Sequence, residues 1–131
     1  MTQVQDMTNQ QLNRALAELM GYSIREYMYS FGLINPYGSV LIEIESVDDA
    51  WAYAPDYCTD PADSLEVQTA ACEVHGELYI WNLAIVQGWV GGTIISRKEA
   101  IRIATARPRE RAEAAYITLS QALNGADRID L

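Results

Sequence analysis

The chain has 131 residues, half of them hydrophobic, and a formal net charge of −9. That length fits one domain, 1–131, and the composition fits a packed core rather than a disordered chain. The charge argues against general binding to nucleic acid, and no apolar run approaches the roughly 20 residues that span a bilayer. The opening Met1–Asp6 is polar and does not read as a secretory leader, so the expected location is the cytoplasm. Cys58 and Cys72 read as free thiols of a reducing compartment. The one histidine, His75, has no second imidazole at ligand spacing, so neither a metal nor another cofactor is expected.

In chain order, residues 1–7 read as a frayed lead. Thr8 and Gln11 have the spacing of a capping box, in which hydroxyl and amide each satisfy a free backbone N–H. Leu12, Ala15, Leu16 and Leu19 repeat at helical intervals, and Gly21 can take the left-handed conformation that ends a helix. Tyr27–Leu33 and Val40–Glu45 read as two strands joined through the turn Asn35-Pro36-Tyr37-Gly38. Val47–Tyr57 reads as a loop carrying Trp51. Asp60-Pro61 predicts the cap and first position of a second helix. Its inner face is expected at Ala62, Leu65, Thr69 and Cys72, and its end at Gly76, where His75 would meet the negative pole of the helix dipole. Leu78–Val86 and Trp89–Ile95 read as strands about a Gln87-Gly88 turn, with Gly91-Gly92 as a bulge. Ala100–Ala104 alternates as a short last strand would. A third helix begins near Arg107-Pro108, carries the apolar stripe Ala112, Tyr116, Leu119 and Leu123, and ends at Gly125, leaving 125–131 frayed. The order α-β-β-α-β-β-(β)-α predicts an α+β fold, a three-layer helix-sheet-helix sandwich around a mainly antiparallel sheet.

Three segments then resemble one family. Asn9-Gln10-Gln11-Leu12-Asn13-Arg14-Ala15-Leu16-Ala17-Glu18-Leu19-Met20-Gly21 looks like the opening helix of the phage ABA-sandwich domain proteins. Pro55-Asp56-Tyr57-Cys58-Thr59-Asp60-Pro61-Ala62 is similar to their Pro-x-Tyr-Ser-Thr-Asp lead into the second helix, with Cys58 at the usual serine. Ala104-Thr105, Pro108 and the alanine-rich helix that follows resemble their closing segment, with Ala106 and Arg107 interrupting the usual Thr-Pro step. The resemblance covers most of the chain. It implies the sandwich fold and a bacteriophage origin, and it transfers no catalytic residue.

Charge is unevenly spread. No Lys or Arg lies between Glu26 and Ser96, whereas Arg97, Lys98, Arg102, Arg107, Arg109 and Arg111 crowd one short window. Arg107, Arg109 and Arg111 fall where the third helix starts, an end that already carries partial positive charge and free N–H groups. Cations crowded there destabilise the helix unless an anion offsets them. With Arg102 and Thr105 beside them they read as a phosphate site, because guanidinium grips phosphate with two prongs. The open alternatives are that they pair with the chain's own carboxylates, within one copy or across a subunit interface, or that they meet an external acidic protein. Trp51 or Trp89 would stack a base. No catalytic set emerges: Cys72 and His75 lack a third orienting group. Glu43, Glu45, Asp48 and Asp49 lack the glycine turn of a calcium loop.

The leading expectation is a non-enzymatic phage protein that binds a small anionic, nucleotide-like ligand. It would act as a sponge for a host immune signal in the host cytoplasm, with the pocket shared between copies of a homo-oligomer. One alternative is an acidic module or nucleic-acid mimic that inhibits a host protein. Another is a nucleotide-cleaving enzyme.

Overall fold

The computed structural model describes residues 3–129, with side chains through residue 123. The fraying expected at residues 1–2 and 130–131 lies outside them. A short 3-10 turn, Val4–Asp6, precedes helix α1, Asn9–Leu19. Val4 and Met7 pack against the core, so the lead is docked from Val4 onward. The capping box forms as its spacing predicts: Gln11 N–H donates to Thr8 Oγ1 at 3.1 Å and Thr8 N–H to Gln11 Oε1 at 2.9 Å. Gly21, at φ 103°, closes the helix in a conformation that a side chain would strain.

The sheet is antiparallel, in the order β1 (Ser23–Glu26), β2 (Phe31–Ile34), β3 (Val40–Ile44), with helices on both of its sides. The predicted strand Tyr27–Leu33 is corrected. Tyr27–Ser30 is the turn of a first hairpin, closed by Tyr27 N–H donating to Ser30 O at 2.8 Å. Gly32 makes room for the Tyr27 ring. A Cβ there would stand 2.8 Å from the Tyr27 ring, so the ring folds back over β2 only because position 32 is glycine. The second hairpin turns at Asn35–Gly38 as expected. The expected loop from Val47 holds helix α2, Val47–Trp51, capped by Ser46 and packed on β2 and β3.

The second half of the chain departs from prediction. Helix α3 runs Pro61–Val86, so Gly76 does not end it and Leu78–Val86 is helical rather than a strand. Tyr79, Asn82, Leu83 and Ala84 are its buried positions there, a helical spacing hidden inside a continuous apolar run. The predicted inner face is also wrong: Ala62, Leu65, Thr69 and Cys72 are exposed, while Ser64, Val67 and Ala71 are buried. Small residues let α3 approach helix α5, Pro108–Ile129, whose Ala112, Ala114, Ala115 and Thr118 are buried in return. A buried relay crosses this seam. Asn82 Nδ2 donates to Thr118 Oγ1 at 2.9 Å, and Thr118 donates to Ala114 O at 2.8 Å.

Trp89–Ile95 forms no strand; it is an open loop with Gly88, Gly91 and Gly92 at positive φ. Ala100–Ala104 lies within helix α4, Arg97–Ala104, capped by Ser96. Helix α5 continues past Gly125, correcting the expected end there. The observed order is therefore α-β-β-β-α-α-α-α. The fold is α+β with an antiparallel sheet as predicted, and the expected second group of strands is helical. No helix among the described residues is long and apolar enough to cross a membrane.

His75 marks the kink in α3. Its backbone is extended, at φ −162° and ψ 85°, and its Nδ1 accepts from Leu78 N–H at 3.2 Å. It therefore caps the start of the second half of α3, the opposite pole from the one expected. His75→Ala should cost about 1 kcal/mol, with His75→Asn restoring most of it, since either side chain can accept at that position. Urea unfolding of the three proteins checks this.

Candidate functional site

The clustered arginines divide by what they touch. Arg109 is consumed by the fold. Its Nε donates to Glu113 Oε2 at 2.7 Å, its Nη1 to Asn9 Oδ1 at 2.8 Å, and its Nη2 to Val4 O at 3.0 Å and Met7 O at 2.8 Å. The remaining Nη1 proton faces Cys58 Sγ at 3.9 Å. All five donors of the guanidinium are thus engaged, so the expected ligand role of Arg109 is corrected. Half-buried Arg111 donates to Ser64 Oγ at 3.1 Å across the α3–α5 seam, which turns it inward as well.

Arg102 and Arg107 are different. Both are exposed, and neither has a carboxylate within 4.0 Å among the described residues. With Gln87, Thr105 and Glu110 they line a cavity of about 290 Å³ at the junction of α4 and α5. Three of the sequence-predicted residues, Arg102, Thr105 and Arg107, therefore meet at one place. Gln87 and Glu110 escaped prediction, Gln87 because it stood in a supposed hairpin turn. Gln87 Nε2 donates to Arg102 O at 2.7 Å, which ties the end of α3 to α4. Glu110 Oε1 accepts from Arg107 N–H at 2.9 Å. That is the carboxylate half of a capping box. The other half is missing, since arginine at the cap position offers no acceptor. Thr105 spends its hydroxyl proton on Ile101 O at 2.9 Å and so turns lone pairs, rather than a donor, outward.

The two tryptophans do not join this site. Trp51 is 7 % exposed and belongs to the core. The Arg14 guanidinium sits 5.1 Å from its ring centroid, on the face a base would need. Trp89 packs on Trp81, with ring centroids 4.9 Å apart. A second cavity, of about 370 Å³, is lined by Thr8, Gln10, Gln11, Arg14, Asp48 and Trp51. Its one cation, Arg14, pairs with Glu18 at 3.0 Å and Asp48 at 3.6 Å.

The Pro55–Ala62 motif serves architecture. Asn13 Nδ2 donates to Asp56 Oδ1 at 3.0 Å, and Cys58 N–H donates back to Asn13 Oδ1 at 3.1 Å, locking α1 to the lead into α3. The Thr59 hydroxyl bonded to Asp56 holds that carboxyl below its ordinary pKa. Burial pushes the Cys58 thiol up to about 11 against the pull of Arg109, so it stays a thiol at neutral pH. Cys72 is exposed, is also raised by desolvation, and makes no hydrogen bond with His75 among those described. Among the described residues no group of His, Cys, Asp or Glu gathers as metal ligands. Comparison with known protein families, with characterised proteins and with solved structures finds no match for this chain.

Proposed function

We propose that the chain is a non-catalytic binding protein that takes a small phosphate-bearing anion in the cavity between α4 and the start of α5. One observation carries the reading: Arg102 and Arg107 meet there without carboxylate partners among the described residues, in a chain whose net charge is −9. A guanidinium pair matches phosphate oxygens with several N–H donors at fixed angles. The start of α5 adds partial positive charge from its own peptide dipoles. The volume sits at the small end of ligand pockets and accommodates a phosphate or diphosphate group with room beside it. Trp51 and Trp89 lie outside the cavity lining. The reading therefore rests on the phosphate, with neither Trp51 nor Trp89 in the lining to stack a base.

Glu110 is the internal competitor, since its carboxylate already lies at the cavity wall. Titration calorimetry with inorganic phosphate, pyrophosphate and a panel of nucleotides tests the proposal. Binding should weaken roughly tenfold or more in Arg102→Ala and in Arg107→Ala, a loss of about 1.4 kcal/mol or more for each charged hydrogen-bonding group. It should tighten severalfold in Glu110→Gln, which removes the opposing charge, and fall with salt. No heat with any of these anions, or equal affinity in the arginine variants, overturns the reading.

A further inference from the structure

We infer that helix α4 of one copy docks head-to-tail into an apolar groove on a second copy of this chain, a contact separate from the anion cavity. Helix α4 turns Glu99 and Ile103 toward the protein and leaves Arg97, Ala100, Ile101 and Ala104 in solvent. That outward face is an apolar stripe with cations at its edge, Arg97 above and Lys98 beside. The loop that precedes it in the chain exposes two more apolar side chains: Val90 is 99 % exposed and Ile94 78 %, with Ile101 at 65 %. Single exposed apolar residues need no explanation, but three large ones on adjoining segments with a cationic rim have the anatomy of an interface.

The same molecule carries the complement. Leu19, Val74, Leu119, Ala122 and Leu123 line a groove of about 460 Å³ between α1, α3 and α5, with Glu18 at its edge. Along α3, Glu73 and Glu77 are exposed on either side of Val74, and no Lys or Arg occurs anywhere in that helix. An apolar ridge edged by cations thus has an apolar groove edged by carboxylates to receive it. Charge complementarity selects a second copy over an anionic membrane, which would repel the remaining surface of so acidic a chain.

The contact cannot form within one molecule. Helix α4 abuts the first turn of α5, while the groove uses Leu119 and Leu123 of the same helix, roughly 16 Å further along at about 1.5 Å per residue. Ridge and groove are different surfaces, so the association is heterologous and adds copies in sequence rather than closing as a twofold dimer.

Sedimentation velocity of the full chain over a concentration series tests this. The wild type should show masses above the monomer that rise with concentration and fall with added salt. Ile101→Asp removes the ridge and Val74→Arg removes the groove, so each alone should be monomeric. Mixed in equal amounts they should form a complex of two chains and no larger, because one intact ridge then meets one intact groove. Lys98→Glu, at an exposed position, should raise the apparent dissociation constant roughly tenfold. Circular dichroism confirms folding, and Leu123→Arg replaces Val74→Arg should the latter unfold. A wild type that stays monomeric throughout overturns the inference. So does a mixture that forms no dimer, or assembly that persists in the groove variant.

Discussion

Arg109→Ala should destabilise the protein by about 3 kcal/mol, more than loss of any other charged side chain described. The side chain is 24 % exposed and its partner Glu113 15 %. Removing one member of a buried charged pair costs about 3–5 kcal/mol, because the other charge stays behind without compensation. Partial exposure places this case at the lower end. The loss extends beyond Glu113. The carbonyls of Val4 and Met7 and the amide of Asn9 lose their donor together, so the N-terminal turn should detach from the start of α5. Arg109→Lys should recover little, since a single ammonium cannot serve partners spread around a planar fork. Urea unfolding gives the magnitude, and amide exchange across residues 4–12 shows whether loosening begins at that segment. The expectation fails if the midpoint is unchanged.

Legibility followed local chemistry. Where one residue type performs one local task, the sequence announced it: Thr8 with Gln11, Asp60 with Pro61, the Asn35–Gly38 turn and the start of α5 near Pro108 all stand where read. Legibility failed where a residue's role depends on a partner far along the chain. Leu78–Val86 is apolar nearly throughout, so its periodicity could not separate a buried strand from a buried helix. The surface of α5 that covers it decides the matter. The inner face of α3 was misread for a related reason. Leu65 looks like core by hydropathy and Ser64 does not, yet helices that pack closely select for small size. Gly76 suggested a stop because His75 was not foreseen as an acceptor that restarts the helix one residue earlier.

The site was legible in outline only. The excess of arginines is a property of composition, and the cavity keeps Arg102, Thr105 and Arg107 from it. The sequence reading of Arg109 fails because nothing local shows that its donors reach Val4, Met7 and Asn9, a hundred or more positions earlier in the chain. Glu110 had a signal that could have been weighed: a glutamate three residues after the cap residue of a helix is half of a capping box. The reading that the arginines pair with the chain's own carboxylates therefore holds for Arg109, and the phosphate reading is proposed for Arg102 and Arg107 alone. Arg109 meets the chain's own carboxylate, and Arg102 and Arg107 do not.

Trp51→Ala should cost about 3–5 kcal/mol, the range for deleting a large aromatic from a core. Phosphate affinity measured where the variant is still folded should stay within about twofold of wild type, because Trp51 lies outside the cavity lining. The indole is 7 % exposed and contributes to the same cluster as Leu12, Leu16 and Leu33, while Arg14 covers its outer face. Trp51→Phe sharpens the test. The Nε1 proton is buried and finds no acceptor among the described residues. Phenylalanine removes that unmet donor, which offsets part of the packing lost with the smaller ring. The net cost should be only about 1–2 kcal/mol. A base-stacking role would reverse the ordering: Trp51→Phe would leave stability nearly intact, and nucleotides would lose affinity while inorganic phosphate did not. Thermal unfolding and calorimetry on the same two variants separate the outcomes, and a selective loss of nucleotide binding would return Trp51 to the site.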